Sequence, residues 1–172
     1  MNYSIVATTR RLLFPRHKLS CSWFLWRKLA KALRARGREY TRESGAFLLG
    51  KREDGRARLT AFLLYDDLDP TCLDTGIVRF AGHCYGALWE YIERTQLSVV
   101  ADIHVHPGAP LQSETDRSHP MIAQLGHVAL ILPQYARPPL RIADIGVYRF
   151  EGRNHWHSVP KADVRAFFHV GL

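Results

Sequence analysis

Apolar positions along this chain follow two rhythms, one of period two and one of helical spacing, and the elements can be read from where one gives way to the other. Residues 2–14 read as an opening strand that Pro15 ends. Ser20 then serves as an N-cap, and Trp23, Trp26, Leu29, Ala30 and Leu33 recur at helical spacing, predicting a helix to Arg36 that Gly37 stops. Arg27, Lys28, Lys31 and Arg34 occupy its other side. Residues 45–50 and 58–64 form a hairpin around the turn at 51–55. An acidic loop follows over 65–76, without the ligand spacing of a calcium loop. A second helix spans 82–94, with Tyr85, Leu88, Trp89 and Ile92 as its buried stripe. The apolar, β-branched run 98–103 is a strand, and Ser113 caps a short helix running through Pro120 and Met121, with Asp116 in its first turn. Strands over 126–133, 139–150 and 155–158 and a terminal helix over 161–169 complete an order of β-α-β-β-α-β, a site loop, then β-β-β-α. The expected fold is α/β of the α+β kind: one domain over 1–172, with a central mixed sheet flanked by helices.

Length and composition agree with this pattern. A chain of 172 residues that is 47% apolar can bury a real core and is not disordered. No apolar run reaches the roughly 18–20 residues of a membrane span. The first residues lack a basic stretch ahead of an apolar one, so no secretory signal is expected. Cys21, Cys72 and Cys84 are odd in number and form no C-x-x-C, which suits reduced, buried thiols and a cytoplasmic location. The net charge of +8 is unevenly placed. Residues 1–42 carry 11 Lys+Arg and one acidic residue, Glu39, while the rest carry 13 Lys+Arg against 15 Asp+Glu. That basic segment is either a solvated helix face or a docking surface for an acidic partner. Without interleaved exposed aromatics it makes nucleic acid an unlikely but open partner.

The chemistry concentrates at His104-Val105-His106-Pro107 and Ser113-Glu114-Thr115-Asp116. Side chains alternate along a strand, so His104 and His106 point the same way and reach one ion. Asp116 returns from a short loop as a third ligand, leaving a fourth position open, as a catalytic zinc requires. The chain has no H-E-x-x-H, and no P-C-x-x-C with H-x-E, which argues against a zincin and a nucleobase deaminase. His119 is a minor candidate for a supporting role, and His155 and His157 lack a carboxylate at useful spacing. Glu43 opens an apolar strand, Glu43-Ser44-Gly45-Ala46-Phe47-Leu48-Leu49-Gly50, where a carboxylate must be solvated, paired or working.

Taken together, Glu43, His104, His106, Pro107, Ser113 and Asp116 resemble the JAMM motif of the MPN (JAB) domain family, zinc isopeptidases that cut ubiquitin and ubiquitin-like proteins from their conjugates. The resemblance extends to the element order, and implies an MPN/JAB-like fold with cytidine-deaminase-like layering. It is greatest to stand-alone bacterial members, some encoded beside a ubiquitin-like protein and E1/E2-like enzymes, including anti-phage systems. It implies zinc on His104, His106 and Asp116, Glu43 as general base, and Ser113 as an oxyanion donor. Two departures stand out: six residues rather than seven separate His106 from Ser113, and Ala46 replaces a family glycine, which is expected to narrow the approach to Glu43. The alternatives are a small-substrate or sulfur-carrier-fusion metallohydrolase on the same site, and a non-catalytic MPN scaffold.

Overall fold

Most of the period-two runs become strands of one sheet, and its centre carries the H-x-H pair. The computed structural model describes residues 17–171. The expected strand over 2–14 lies outside them. In chain order the elements are β1 (Leu19–Ser22), α1 (Trp23–Arg36), β2 (Gly45–Glu53), β3 (Arg56–Leu64), α2 (Tyr65–Leu68), α3 (Tyr85–Thr95), β4 (Ser98–Val105), α4 (Glu114–Ser118), β5 (Val128–Leu132), β6 (Gly146–Gly152), β7 (His155–Ser158), α5 (Val164–Phe167) and β8 (Phe168–Gly171). The eight strands form a mixed sheet in the order β7-β6-β5-β4-β2-β3-β1-β8. β4 pairs antiparallel with β2 and parallel with β5, so both of its edges are satisfied. The fold is α+β, as the alternation of patterns predicts.

The two sheet faces are covered differently. Trp26, Leu29 and Leu33 of α1 pack with Leu48, Ile103 and Val105 in the larger core. Phe47, Leu49, Tyr65 and Leu88 form a second core on the opposite face, under α2 and α3. Burying each such side chain contributes about 1.5–3 kcal/mol. Since Ile103 and Val105 face α1, Asp102, His104 and His106 face the other way.

Several boundaries differ from the sequence reading. Ser22, not Ser20, caps α1: its hydroxyl accepts the Leu25 N–H at 3.2 Å. The residues before it form β1 because Leu19 and Cys21 point into the core. Trp23 is 44% exposed and lies off the buried stripe. The acidic loop begins with a helical turn, α2. The second helix starts with a 3-10 turn at Gly82–Cys84, and within α3 only Leu88 is buried, while Trp89 is 49% exposed. α4 stops at Ser118, because Pro120 disfavours a helical His119. The strand expected over 139–150 is confined to β6, since Pro138 and Pro139 cannot donate to a ladder and Ile142–Asp144 form a 3-10 turn. The expected terminal helix shortens to α5, and Phe168–Gly171 instead pair parallel with β1. Phe168 is fully buried there, and its ring meets Trp26 edge-on at 5.4 Å.

The segment between α2 and α3 is pinned by Asp69, which is 4% exposed. Its Oδ2 accepts the Ala81 N–H at 2.8 Å, and its Oδ1 accepts the Thr71 N–H at 3.1 Å and hydroxyl at 2.9 Å. The Ala81 N–H first, then the Thr71 donors, hold the Asp69 carboxyl below its usual value, against burial. Asp69→Ala is expected to cost about 1–3 kcal/mol in urea unfolding, the range for orphaning buried donors. The folded pKa lies below the unfolded one, so the share of this difference that belongs to the ionised carboxylate is complete above about pH 3.9 and is lost as pH falls through the folded value. A difference that grew on acidification would contradict the assignment.

Candidate metal centre and cleft

β4 and the residue directly after it deliver two imidazoles to one point. The Nε2 atoms of His104 and His106 face each other at 2.9 Å. Asp116 Oδ1 lies 3.4 Å from His104 Nε2, and Oδ2 lies 3.3 Å from His106 Nε2. Ligands of a tetrahedral zinc with bonds of about 2.0–2.1 Å stand about 3.3 Å apart, so the carboxylate–imidazole spacings suit one small dication. Among the described residues these three are the group of His, Cys, Asp and Glu side chains placed to hold a metal ion. His119 is not part of it: its Nδ1 faces the Ser118 hydroxyl at 3.0 Å. His155 and His157 are exposed on β7.

Asp116 is aimed by its own helix terminus. Ser113 is the N-cap of α4, and its hydroxyl accepts the Asp116 N–H at 3.1 Å. The Asp116 carboxylate reaches back, with Oδ2 accepting the Ser113 N–H at 2.7 Å and hydroxyl at 2.8 Å. This reciprocal capping box fixes the carboxylate while leaving Oδ1 for His104. The shorter connection, 107–112, therefore still presents the ligand. It also places the Ser113 hydroxyl proton on Asp116, a contact the sequence reading did not foresee.

Glu43 lies just before β2, whose Gly45 pairs with His104. Its Oε1 is 3.8 Å from His106 Nε2, and its Oε2 accepts the Val78 N–H at 3.4 Å. Burial raises the Glu43 carboxyl above the ordinary carboxylate range, although His104, His106 and the Val78 N–H pull it down. Burial disfavours the charged form of Asp116 too, but hydrogen bonds with His104 and His106 outweigh it and keep its carboxyl far below the usual range. For His104, burial lowers the pKa, yet Asp116, then Asp102 and Glu43, leave it raised. Ala46 is fully buried in the α1-side core, so it does not narrow the approach to Glu43.

A cleft of about 520 Å³ opens beside His104 and Asp116. Phe80, Tyr85, Met121 and Trp156 line it, with the buried Asp102 and Ala129 at its floor. Two hydrogen bonds brace the surrounding segments: Tyr85 Oη donates to the Met121 carbonyl at 2.6 Å, and Trp156 Nε1 donates to the Arg117 carbonyl at 3.2 Å. The sequence reading missed Asp102 as a site-face residue. Its position two before His104 on one strand was the available signal. His127 and Tyr65, which bond it, could not be found that way, because they belong to other elements. The basic face of α1 lies on the far side of the sheet and does not line this cleft.

No protein-family profile matches the chain. A probable metalloprotease, y4jG, of Sinorhizobium fredii is 33% identical over 75 residues, which are 44% of this chain and 45% of that relative; the match therefore spans less than half of either protein. The solution structure of protein DSY2949 from Desulfitobacterium hafniense superposes with a TM-score of 0.63 at 12% identity, covering 88% of this chain and 92% of that one. A protein from Salinibacter ruber gives a TM-score of 0.50 at 16% identity over 82% and 88% of the two chains. At these identities the structural likenesses establish the fold alone.

Ser113→Ala should separate aiming from ligation. Loss of the cap is expected to cost about 0.5–2 kcal/mol in thermal unfolding. Zinc affinity, from competition with a chromophoric chelator, is expected to fall about tenfold because Asp116 loses an outer partner. Unchanged affinity would mean that the Ser113 N–H alone suffices.

Proposed function

We propose that the protein is a zinc-dependent peptidase of the JAMM type, acting in the cytoplasm on the C-terminal tail of a ubiquitin-like protein or its conjugates. The observation that carries this reading is the convergence of two imidazoles and one carboxylate, with a second carboxylate, Glu43, 3.8 Å from His106. Similarity to a probable metalloprotease supports the peptidase class. The motif resemblance supports the ubiquitin-like substrate and a place beside E1/E2-like enzymes in a bacterial conjugation system, including anti-phage ones.

His104, His106 and Asp116 would hold the ion, and their nitrogen and oxygen donors suit zinc. Bound zinc supplies a water with a pKa lowered toward about 7 and polarises the scissile carbonyl. Glu43 is placed to take the proton of the attacking water and pass it to the leaving nitrogen. Its burial makes it a stronger proton acceptor than a solvated glutamate, since the charged form is less favoured. Ser113 has one hydroxyl proton and two uses for it. The Ser113 N–H also holds Asp116, so the hydroxyl can turn to the developing oxyanion without releasing the ligand.

A protein substrate is favoured over a small metabolite by the rim of the site. Ile77, Trp89 and Leu111 are exposed large apolar side chains on segments beside the cleft: Ile77 precedes Val78, Trp89 stacks on Tyr85, and Leu111 precedes Gln112. Such exposed apolar surface suits a folded partner whose tail enters between them.

The test uses a ubiquitin-like protein fused through its C-terminal residue to a reporter. The zinc-loaded wild type is expected to release the reporter. Glu43→Gln is expected to retain one zinc and lose about 10²–10⁴ in rate, the usual worth of a general acid–base group. Full activity of the zinc-loaded variant would remove Glu43 from the mechanism. Zinc bound by a wild type that leaves every such fusion intact would favour a small substrate instead.

A further inference from the structure

One polar connection crosses the sheet beneath the candidate metal ligands, and the mechanism above does not use it. Asp102 is 2% exposed at the middle of β4, on the face of His104 and His106. Its Oδ1 accepts a hydrogen bond from His127 Nε2 at 2.6 Å, and its Oδ2 accepts one from the Tyr65 hydroxyl at 3.2 Å. His127 is 2% exposed and directly precedes β5, while Tyr65 is fully buried and directly follows β3. Gly45 makes the connection possible. A Cβ at this β2 position would collide with the Tyr65 ring, so only glycine lets the ring lie across β2 toward Asp102. The same Gly45 is the cross-strand partner of His104. Side chains from three neighbouring segments thus meet in one buried network, with Gly45 of a fourth leaving room for it, at the level of the sheet from which His104 projects.

A carboxylate removed from water is unfavourable unless donors compensate it, and a packed apolar side chain would fill the same space at less cost. A network this fully satisfied instead fixes one arrangement of the strands that carry it. Strand β4 is the one whose arrangement matters here, because it carries His104 and leads directly into His106.

We propose that Asp102, locked between His127 and Tyr65, is a positioning residue that sets the pose of β4 in which His104 and His106 present both Nε2 atoms to one metal ion. This rests on the reading of His104, His106 and Asp116 as metal ligands. The side-chain hydrogen bonds of Asp102 go to His127 and Tyr65 and not to the three ligands, and the effect assigned to it is on how well the ion is held.

The full-length protein and four variants test this: Asp102→Asn, His127→Leu, His127→Gln and Tyr65→Phe. Asparagine keeps an acceptor for His127, glutamine keeps a donor for Asp102, and leucine removes that donor. Zinc affinity is read by chelator competition, the coordination geometry by the visible spectrum of the Co²⁺ form, and fold integrity by the melting temperature of the metal-free protein. His127→Leu is expected to bind zinc about 10–100-fold more weakly, with a changed Co²⁺ spectrum, His127→Gln to recover most of the loss, and Asp102→Asn, which keeps the His127 bond and loses the Tyr65 one, to bind about tenfold more weakly. Tyr65→Phe, which deletes one hydroxyl, is expected to weaken zinc by about tenfold and carries the test if Asp102→Asn does not fold. Lower melting temperatures with wild-type zinc affinity and an unchanged Co²⁺ spectrum would overturn the proposal and leave a purely structural network. A folded wild type that binds neither Zn²⁺ nor Co²⁺ would instead overturn the ligand reading, and the proposal with it.

Discussion

The structure depends on the alternation of faces from Ala101 to Val105 along one central strand. β4 is hydrogen-bonded on both edges, so it cannot slip without moving its whole apolar set off the core. Ile103 and Val105 are held against α1 by that constraint. The intervening residues, Asp102, His104 and His106, are forced onto the opposite face, where burial would be unfavourable unless each found a partner. The site is thus the polar counterpart of the packing on the other side of the same strand.

Compensation of those buried polar groups organises what surrounds them. Asp116 comes to the imidazoles on a capping box, a local device that needs only four consecutive residues. Glu43 comes from the start of β2, where sheet pairing brings it beside His106. Asp102 finds Tyr65 and His127, which arrive from opposite flanks of β4. The loop pinned by Asp69 adds the Val78 N–H that meets Glu43 and the Phe80 ring that lines the cleft. Each polar contact near the site therefore also ties one segment to the sheet.

Legibility followed the range of the forces involved. α1, the β2–β3 hairpin and β4 were readable because their patterns are local and strongly periodic. The short elements were not. β1 and β8 are four-residue strands that pair with each other, far apart in sequence, and the second follows directly on the helical turn α5. Of the stripe of four expected in α3, Leu88 is buried and Tyr85 and Ile92 pack partly buried against the same core, while Trp89 stays exposed at the rim of the cleft.

By itself, the sequence determined which side chains share the candidate site and their local aim. His104 and His106 share a face because a strand has period two, and Asp116 keeps its offset from Ser113 because a helix N-terminus demands that spacing. Only the tertiary structure decided the distances. It brought Glu43 to 3.8 Å from His106, placed the Ser113 proton on Asp116, and joined Asp102 to His127 and Tyr65. The reason is physical: side-chain periodicity is fixed within a few residues, whereas the approach of two strands, or of a loop to a strand, is set by sheet pairing and core packing among residues that are distant along the chain.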